Sequence, residues 1–126
     1  MPQFAIHHHP DSPAYYDIII DGGESLATFR IAQFDMLAFL DGTEVKADEV
    51  DNGSAGTAPL DKPVSCGAGK VRLFDSGLCA IERWSPPVYL IQVAGKQFYG
   101  TIHMLKVEDG YSLRYIRSRS RKSYHR

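Results

Sequence analysis

Histidine, tyrosine and aspartate side chains recur at two-residue intervals in the first twenty residues of the chain. His7 and His9 close an apolar run that begins at Phe4, and Tyr15 and Asp17 open a second apolar run. Alternate side chains share one face of a strand, so each of these pairs would share a face. If the two strands pair, imidazoles and a carboxylate meet around one point, as a divalent metal site requires.

Two other segments contain candidate functional residues, on weaker evidence from the pattern. Residues 67–70, Gly-Ala-Gly-Lys, lack the four residues that separate the glycines of a phosphate loop, and the pattern after Lys70 is that of a strand rather than a helix. We interpret them as a glycine turn beside candidate phosphate contacts at Lys70 and Arg72. Two alternatives stay open. Cys66 could act as a nucleophile. Ser12 could act with His9 and Asp17, although no nucleophile elbow is present around Ser12.

The elements that would position these residues are short strands separated by turn residues. Spacings of about 8–12 residues and sequential hairpin turns favour an antiparallel meander that closes into a small barrel. We therefore predict a mainly β fold, a small antiparallel β-barrel with minor helical decoration. Residues 34–40 are ambiguous between a helical turn and a buried strand, and residues 48–69 form the longest irregular stretch. The predicted apolar packing residues are Phe4, Ile6, Ile18, Ile20, Leu73, Leu90 and Val93.

Composition is typical of a soluble globular domain. The chain has 126 residues, of which 44% are hydrophobic and 23% charged, so a single domain with one modest core is expected. No apolar run approaches the ~18–20 residues that span a bilayer, and no signal-peptide pattern is seen. Two cysteines do not make a disulfide framework, which favours reduced thiols in a cytoplasmic monomer.

Charge is distributed unevenly along the chain. Residues 114–126 contain six basic residues and no acidic one, so the remainder, with eight bases and all fifteen acids, has a net charge of −7. We predict a barrel domain over residues 1–116 and a basic appendage over residues 117–126. Arg117, Arg119 and Arg121 would contact a polyanion such as nucleic acid. The alternative is a solvated segment that only improves solubility.

An ordered set of motifs over residues 4–115 resembles the 3′-phosphoesterase domain of bacterial DNA ligase D and its small stand-alone relatives. The resemblance rests on Phe4-Ala5-Ile6 with His9, Tyr16-Asp17, residues 26–31, residues 63–67, residues 69–77, residues 95–100 and the strand Tyr111–Tyr115. It implies a compact β-barrel that removes a 3′-phosphate or a 3′-ribonucleotide from DNA ends before ligation. DNA ends, and a repair ligase or polymerase, are the partners it implies.

The resemblance also implies a manganese ion held by two histidines and an aspartate. His9 matches the first ligand and Asp17 the aspartate, whereas the second histidine position is Tyr15. The phosphate-binding arginine of the family falls at Ile19. By resemblance His9, Asp17 and Tyr15 would form the catalytic group, and His7 could replace the missing ligand beside His9 and Asp17.

Two functions follow from this pattern. The first is a phosphoesterase-type protein of DNA end processing that has lost or reduced its activity, with weak Mn²⁺ binding, so whether the chain is an enzyme stays open. The second is a non-catalytic module that binds nucleic-acid ends or a partner through Arg30, Lys70, Arg72 and the basic appendage.

Overall fold

The chain folds into ten short strands and one helical segment within the residues that the computed structural model describes, which are 2–11, 13–23, 26–50, 65–66, 69–85 and 87–118. The strands are β1 (Gln3–His9), β2 (Tyr15–Asp21), β3 (Leu26–Ala32), β4 (Val45–Val50), β5 (Ser65–Cys66), β6 (Gly69–Lys70), β7 (Arg72–Ser85), β8 (Val88–Ala94), β9 (Tyr99–Val107) and β10 (Gly110–Arg117). A 3-10 turn, Gln33–Asp35, leads into the α-helix α1, Met36–Leu40.

Eight of these strands form one antiparallel sheet that closes in a ring, in the order β1-β2-β3-β4-β10-β9-β8-β7. The 14-residue β7 closes it, because its first half pairs with β1 and its second half with β8. The remaining pair, β5 and β6, is a separate two-stranded hairpin. The predicted mainly β fold, an antiparallel barrel with minor helical decoration, is confirmed. No helix in the described ranges is long and apolar enough to cross a membrane.

Side chains of alternate residues fill the ring. Phe4, Ile6, Ile18, Ile20 and Val93 are buried in this core as predicted. The prediction was wrong for Leu73 and Leu90, which are only half-buried. In β8 the inward residues are Tyr89, Ile91 and Val93, so Leu90 faces outward. In β7 a bulge opposite Ile6 and His7 shifts the register, and Phe74 rather than Leu73 packs against the core.

The helical segment closes one end of the ring. Met36 and Phe39 are buried, and the Phe39 ring lies 5.2 Å from that of Phe98 and 6.4 Å from that of Tyr115. The ambiguity over residues 34–40 is therefore resolved as a helical turn. We call this end of the ring the helical end. It holds the last residues of β1, β3 and β10 and the first residues of β2, β4, β7 and β9.

Strand register brings the candidate residues of the sequence together on the outer face. His9 lies opposite Tyr15, and His7 lies opposite Asp17. Asp17 in turn lies opposite Arg30 on β3. Because residues directly opposite have Cβ atoms about 4.5–5.5 Å apart, three neighbouring strands place these side chains in one cluster.

A buried carboxylate organises the turn between β8 and β9. Asp75 accepts hydrogen bonds from the backbone N–H groups of Ser76, Lys96, Gln97 and Phe98, at 2.8–3.0 Å. A Cβ on Gly95 would collide with this carboxylate, so the turn needs glycine there. Asp75 therefore ties β7 to the next hairpin at a point where the ring must stay closed.

Replacing Asp75 by Asn should lower the free energy of unfolding by about 2–3 kcal/mol, because the amide accepts fewer of these hydrogen bonds and points its own N–H₂ at backbone donors. Urea denaturation followed by tryptophan fluorescence measures the change. The matched control, Asp109→Asn in the exposed turn before β10, should stay within about 0.5 kcal/mol of the wild type. Equal stability of the two variants would contradict this role for Asp75.

Candidate functional site

An arginine is ion-paired with the carboxylate at the centre of the candidate site. Arg30 donates from Nε to Asp17 Oδ1 at 2.8 Å and from a terminal nitrogen, Nη2, to Asp17 Oδ2 at 3.1 Å. Asp17 is buried, whereas the Arg30 side chain is 37% exposed. A bidentate pair of this kind fixes both groups in one plane. The hydrogen bond to Asp17 raises the pKa of Arg30, so the guanidinium is permanently charged.

Three flat side chains lie in layers across β1, β2 and β3. The rings of His9 and Tyr15 are stacked, with centroids 4.4 Å apart and an interplanar angle of 19°. The carbon of the Arg30 guanidinium lies 3.8 Å from the centroid of the Tyr15 ring. Tyr15 therefore separates an imidazole from a cation and contacts both. We call His9, Tyr15, Asp17 and Arg30 the outer cluster.

His9 also approaches the carboxylate, but it is not the charged partner. Its Nε2 lies 3.5 Å from Asp17 Oδ2. Burial lowers the pKa of His9 below its ordinary value, with contributions from Arg30, His7 and His8, and the attraction of Asp17 offsets only part of this. The imidazole is therefore neutral at pH 7, and the ion pair of Asp17 is with Arg30.

The three consecutive histidines divide between the two faces of β1. His8 points to the inner side, where its ring stacks on Tyr16 at 4.3 Å and its Nε2 lies 2.6 Å from Gln33 Oε1. Tyr16 in turn meets Phe74 edge-on at 5.1 Å. His8 is thus part of the packing at the helical end, where it holds Gln33 in place.

His7 is nearly buried on the outer face beside Asp17. It shares that face with His9, but the two residues are about 6–7 Å apart along the strand. Thr28, two residues before Arg30 on the same face, is also buried, and its hydroxyl has no hydrogen-bond partner among the described residues. In the same ranges, no group of three or more His, Cys, Asp or Glu side chains is arranged to hold a metal ion.

The donor set does not fit the manganese ion that the resemblance implies. Asp17 directs both oxygens at Arg30, and Tyr15 presents the face of its ring to Arg30 and His9 rather than a histidine nitrogen. A neutral phenol is in any case a poor ligand at pH 7. The predicted closeness of His9, Tyr15 and Asp17 is confirmed, but Asp17 is ion-paired with Arg30 at the position that the resemblance assigns to a metal ligand.

The predicted phosphate contacts are spread around the ring. Arg72 is exposed opposite His8 on β1, and Arg117 is exposed at the end of β10. In ring order Arg72 lies three strand spacings from Arg30 and three from Arg117, and Arg30 lies two from Arg117. Arg30 alone belongs to the outer cluster. The side chain of Lys70 and the residues Ser12, Arg119 and Arg121 lie outside the described part, as does the side chain of Cys66.

Other places in the structure carry reactive groups apart from the outer cluster. A groove of about 300 Å³ lies over β7, β8 and the start of β9, and Cys79 lines it. Burial raises the pKa of the Cys79 thiol to about 11, so this cysteine is inert at neutral pH. A second groove of about 190 Å³ lies over β9 and β10 and is lined by Glu44, His103, Ser112 and Arg114.

Comparison with protein-family models and with curated proteins gives no match. The chemistry of the site is therefore argued from its own geometry. That geometry is an arginine held on an aspartate, with an aromatic ring beneath the guanidinium and a neutral histidine beyond the ring.

The pKa of His9 should respond to Asp17 and Arg30 with opposite signs. Asp17→Asn removes the negative charge that stabilises the imidazolium, so the pKa of His9 should fall further. Arg30→Gln removes a positive charge and should raise it. NMR titration of the imidazole resonances measures both, with Asp109→Asn as a remote control that leaves His9 unchanged. Shifts of the same sign in both variants would contradict this electrostatic arrangement.

Proposed function

We propose that this protein recognises 3′ ends of DNA in the manner of the ligase D phosphoesterase family, with lost or reduced hydrolysis. The resemblance supports the substrate class, and one observation supports the loss of activity. Asp17, the residue at the position of the family's metal-binding aspartate, directs both oxygens to Arg30. An ion would have to displace that bidentate contact before it could use the carboxylate.

Arg30 is suited to bind the terminal phosphate. Ile19, at the position of the family's arginine, is buried and apolar, so it cannot bind phosphate. Arg30 reaches the same outer surface from the neighbouring strand, since it lies opposite Asp17. Its Nε and Nη2 are used by Asp17, and Nη1 lies outside that bidentate contact. A guanidinium held in this way can donate to a phosphate oxygen with little further loss of side-chain freedom.

A primer–template with a 3′-phosphate tests the proposal directly. We expect the protein to bind this DNA, and to release phosphate slowly or not at all with Mn²⁺, compared with a chelator control. A parallel substrate with a 3′-ribonucleotide should give the same result. Rapid release of phosphate that the chelator abolishes would contradict the proposed loss of activity. Failure to bind either substrate at low salt would contradict the proposed recognition of DNA ends.

Substitution of Arg30 should change the affinities for DNA and for Mn²⁺ in opposite directions. Arg30→Ala should weaken binding of the 3′-phosphate DNA about tenfold, as expected for loss of a charge-assisted hydrogen bond. The same change frees the Asp17 carboxylate, so Mn²⁺ affinity should rise, and Tyr15→His in that background should raise it again. Fluorescence anisotropy and calorimetry measure the two affinities.

Arg83→Ala removes an exposed arginine near the far end of β7 and is the matched control, with neither affinity changed. His7→Ala should leave the weak Mn²⁺ binding of the wild type unchanged. Tight binding that disappears in this variant would instead show that His7 supplies the missing ligand.

The second candidate function, a non-catalytic nucleic-acid-binding module, is favoured by the charge of the basic appendage, residues 117–126. β10 runs to Arg117, and the N–H of Ser118 donates to the carbonyl oxygen of Tyr99, so the first two residues of the predicted appendage belong to the folded part. Residues 119–126 add Arg119, Arg121, Lys122 and Arg126 without any acid. Charge of this density binds a phosphate backbone without sequence preference.

Deleting residues 119–126 should weaken binding of single- and double-stranded DNA and reduce its salt dependence, with thermal stability nearly unchanged. The reason is that four cations are lost and every described strand is kept. Affinity measured from 50 to 300 mM salt gives the slope. An unchanged slope would place the DNA contacts on the ring itself, near Arg30 and Arg72.

A further inference from the structure

Two large apolar side chains project into solvent beside the outer cluster. Phe34 is 86% exposed and Leu37 is 79% exposed. They are three residues apart on the helical segment, a spacing that places side chains next to each other on one helix face. Single exposed apolar residues are common, but a phenylalanine and a leucine at this spacing and exposure offer two neighbouring apolar side chains to a ligand. We call Phe34 and Leu37 the apolar wedge.

The helical segment that carries the apolar wedge is anchored to the core. Met36 and Phe39, from the same helical segment, are buried in the core, so the opposite side of the segment is fixed by packing. Gln33, the residue before Phe34, donates its backbone N–H to the carbonyl oxygen of Ala14, and its side chain contacts His8. The wedge therefore projects from an anchored turn, which limits the entropy lost when a ligand binds it.

Strand register places the wedge at the same end of the ring as the outer cluster. His9, Tyr15 and Ala32 lie side by side in adjacent strands. Gln33 and Phe34 directly follow Ala32 along the chain. Two residues span no more than about 7 Å, so the wedge begins within a short distance of Tyr15.

We propose that the apolar wedge stacks against the terminal base of a DNA 3′ end whose phosphate contacts Arg30. This inference rests on the end recognition proposed above, and it assigns the base, rather than the phosphate, to a specific surface. A nucleobase is flat and uncharged at neutral pH, and aromatic side chains bind such faces without sequence preference.

Charge around the wedge favours this orientation of the ligand. Asp35 lies between Phe34 and Leu37 in the sequence and Asp41 follows the helix, and their carboxylates would repel a phosphate backbone laid over the helix. Cations lie to the sides instead, at Arg30 and at Arg117. A ligand that places its uncharged base on the wedge and its phosphates near the arginines avoids the repulsion and gains the attraction.

The end of β10 adjoins the helical segment. A Cβ on Gly42, just after α1, would lie 3.6 Å from the carbonyl oxygen of Tyr115. Arg117, the last residue of β10, therefore lies at the helical end of the ring.

A primer–template with 2-aminopurine as the 3′-terminal base and a 3′-phosphate tests the stacking. Wild-type protein should change the fluorescence of this base on binding. Phe34→Ala should abolish that change and weaken binding about tenfold, in the range known for loss of one base–aromatic stack. Phe34→Trp should keep both, and Leu37→Ala should weaken binding less. The matched control is Leu105→Ala, an exposed leucine near the opposite end of β9.

Covalently closed DNA without ends provides the second comparison. Phe34→Ala should leave its weak, salt-dependent binding unchanged, because that binding uses charge alone. If Arg30→Ala weakens end binding but Phe34→Ala does not, end recognition stands and the stacking proposal fails. If wild-type protein does not bind DNA ends at all, both proposals fail. Self-association or binding to anionic vesicles that Phe34→Ala abolishes, without an effect on DNA, would also overturn the stacking proposal.

Discussion

The bidentate contact between Arg30 and Asp17 determines what the outer face of this sheet can do. A buried carboxylate without a partner would be costly, and Arg30 supplies a cation together with two hydrogen bonds. The same contact orients the guanidinium over Tyr15. Burial lowers the pKa of His9, and Arg30 adds to this effect by opposing the protonation that Asp17 favours. Binding of a metal by the carboxylate and orientation of the arginine are therefore alternatives at one residue.

Closure of the ring holds the strands around this contact. Asp17 and Arg30 are on neighbouring strands, and β1, which carries His9, is paired on both sides, with β2 and with β7. β7 must also pair with β8, and Asp75 fixes the turn that follows β8 by accepting four backbone hydrogen bonds. A buried carboxylate far from the site thus supports its geometry, because a shift of β7 would move β1 as well.

Much of this arrangement is predictable from local patterns. Alternation within β1 and β2 was enough to place His9, Tyr15 and Asp17 together, since period two sets the face of every residue. The pairing of Asp17 with Arg30 was less predictable, because a two-residue turn at Gly22 and Gly23 would set Asp17 opposite Thr28. The observed register has Asp21 opposite Leu26, which leaves four residues between the strands and sets Asp17 opposite Arg30. The faces of Leu73 and Leu90 were not predictable in this way, because the bulge in β7 depends on its pairing with β1.

Tyr15 stands where the resemblance implies a histidine, and it packs in the site as a flat aromatic ring. A phenol ring keeps the flat shape and size that stacking on His9 requires, so position 15 still supports the imidazole. Its other face attracts a cation, and Arg30 lies there. Because Arg30 satisfies Asp17, the carboxylate needs no metal to balance its charge. Tyr15 and Arg30 therefore reinforce each other, since the ring positions the guanidinium and the guanidinium neutralises the carboxylate, while the strands keep their register.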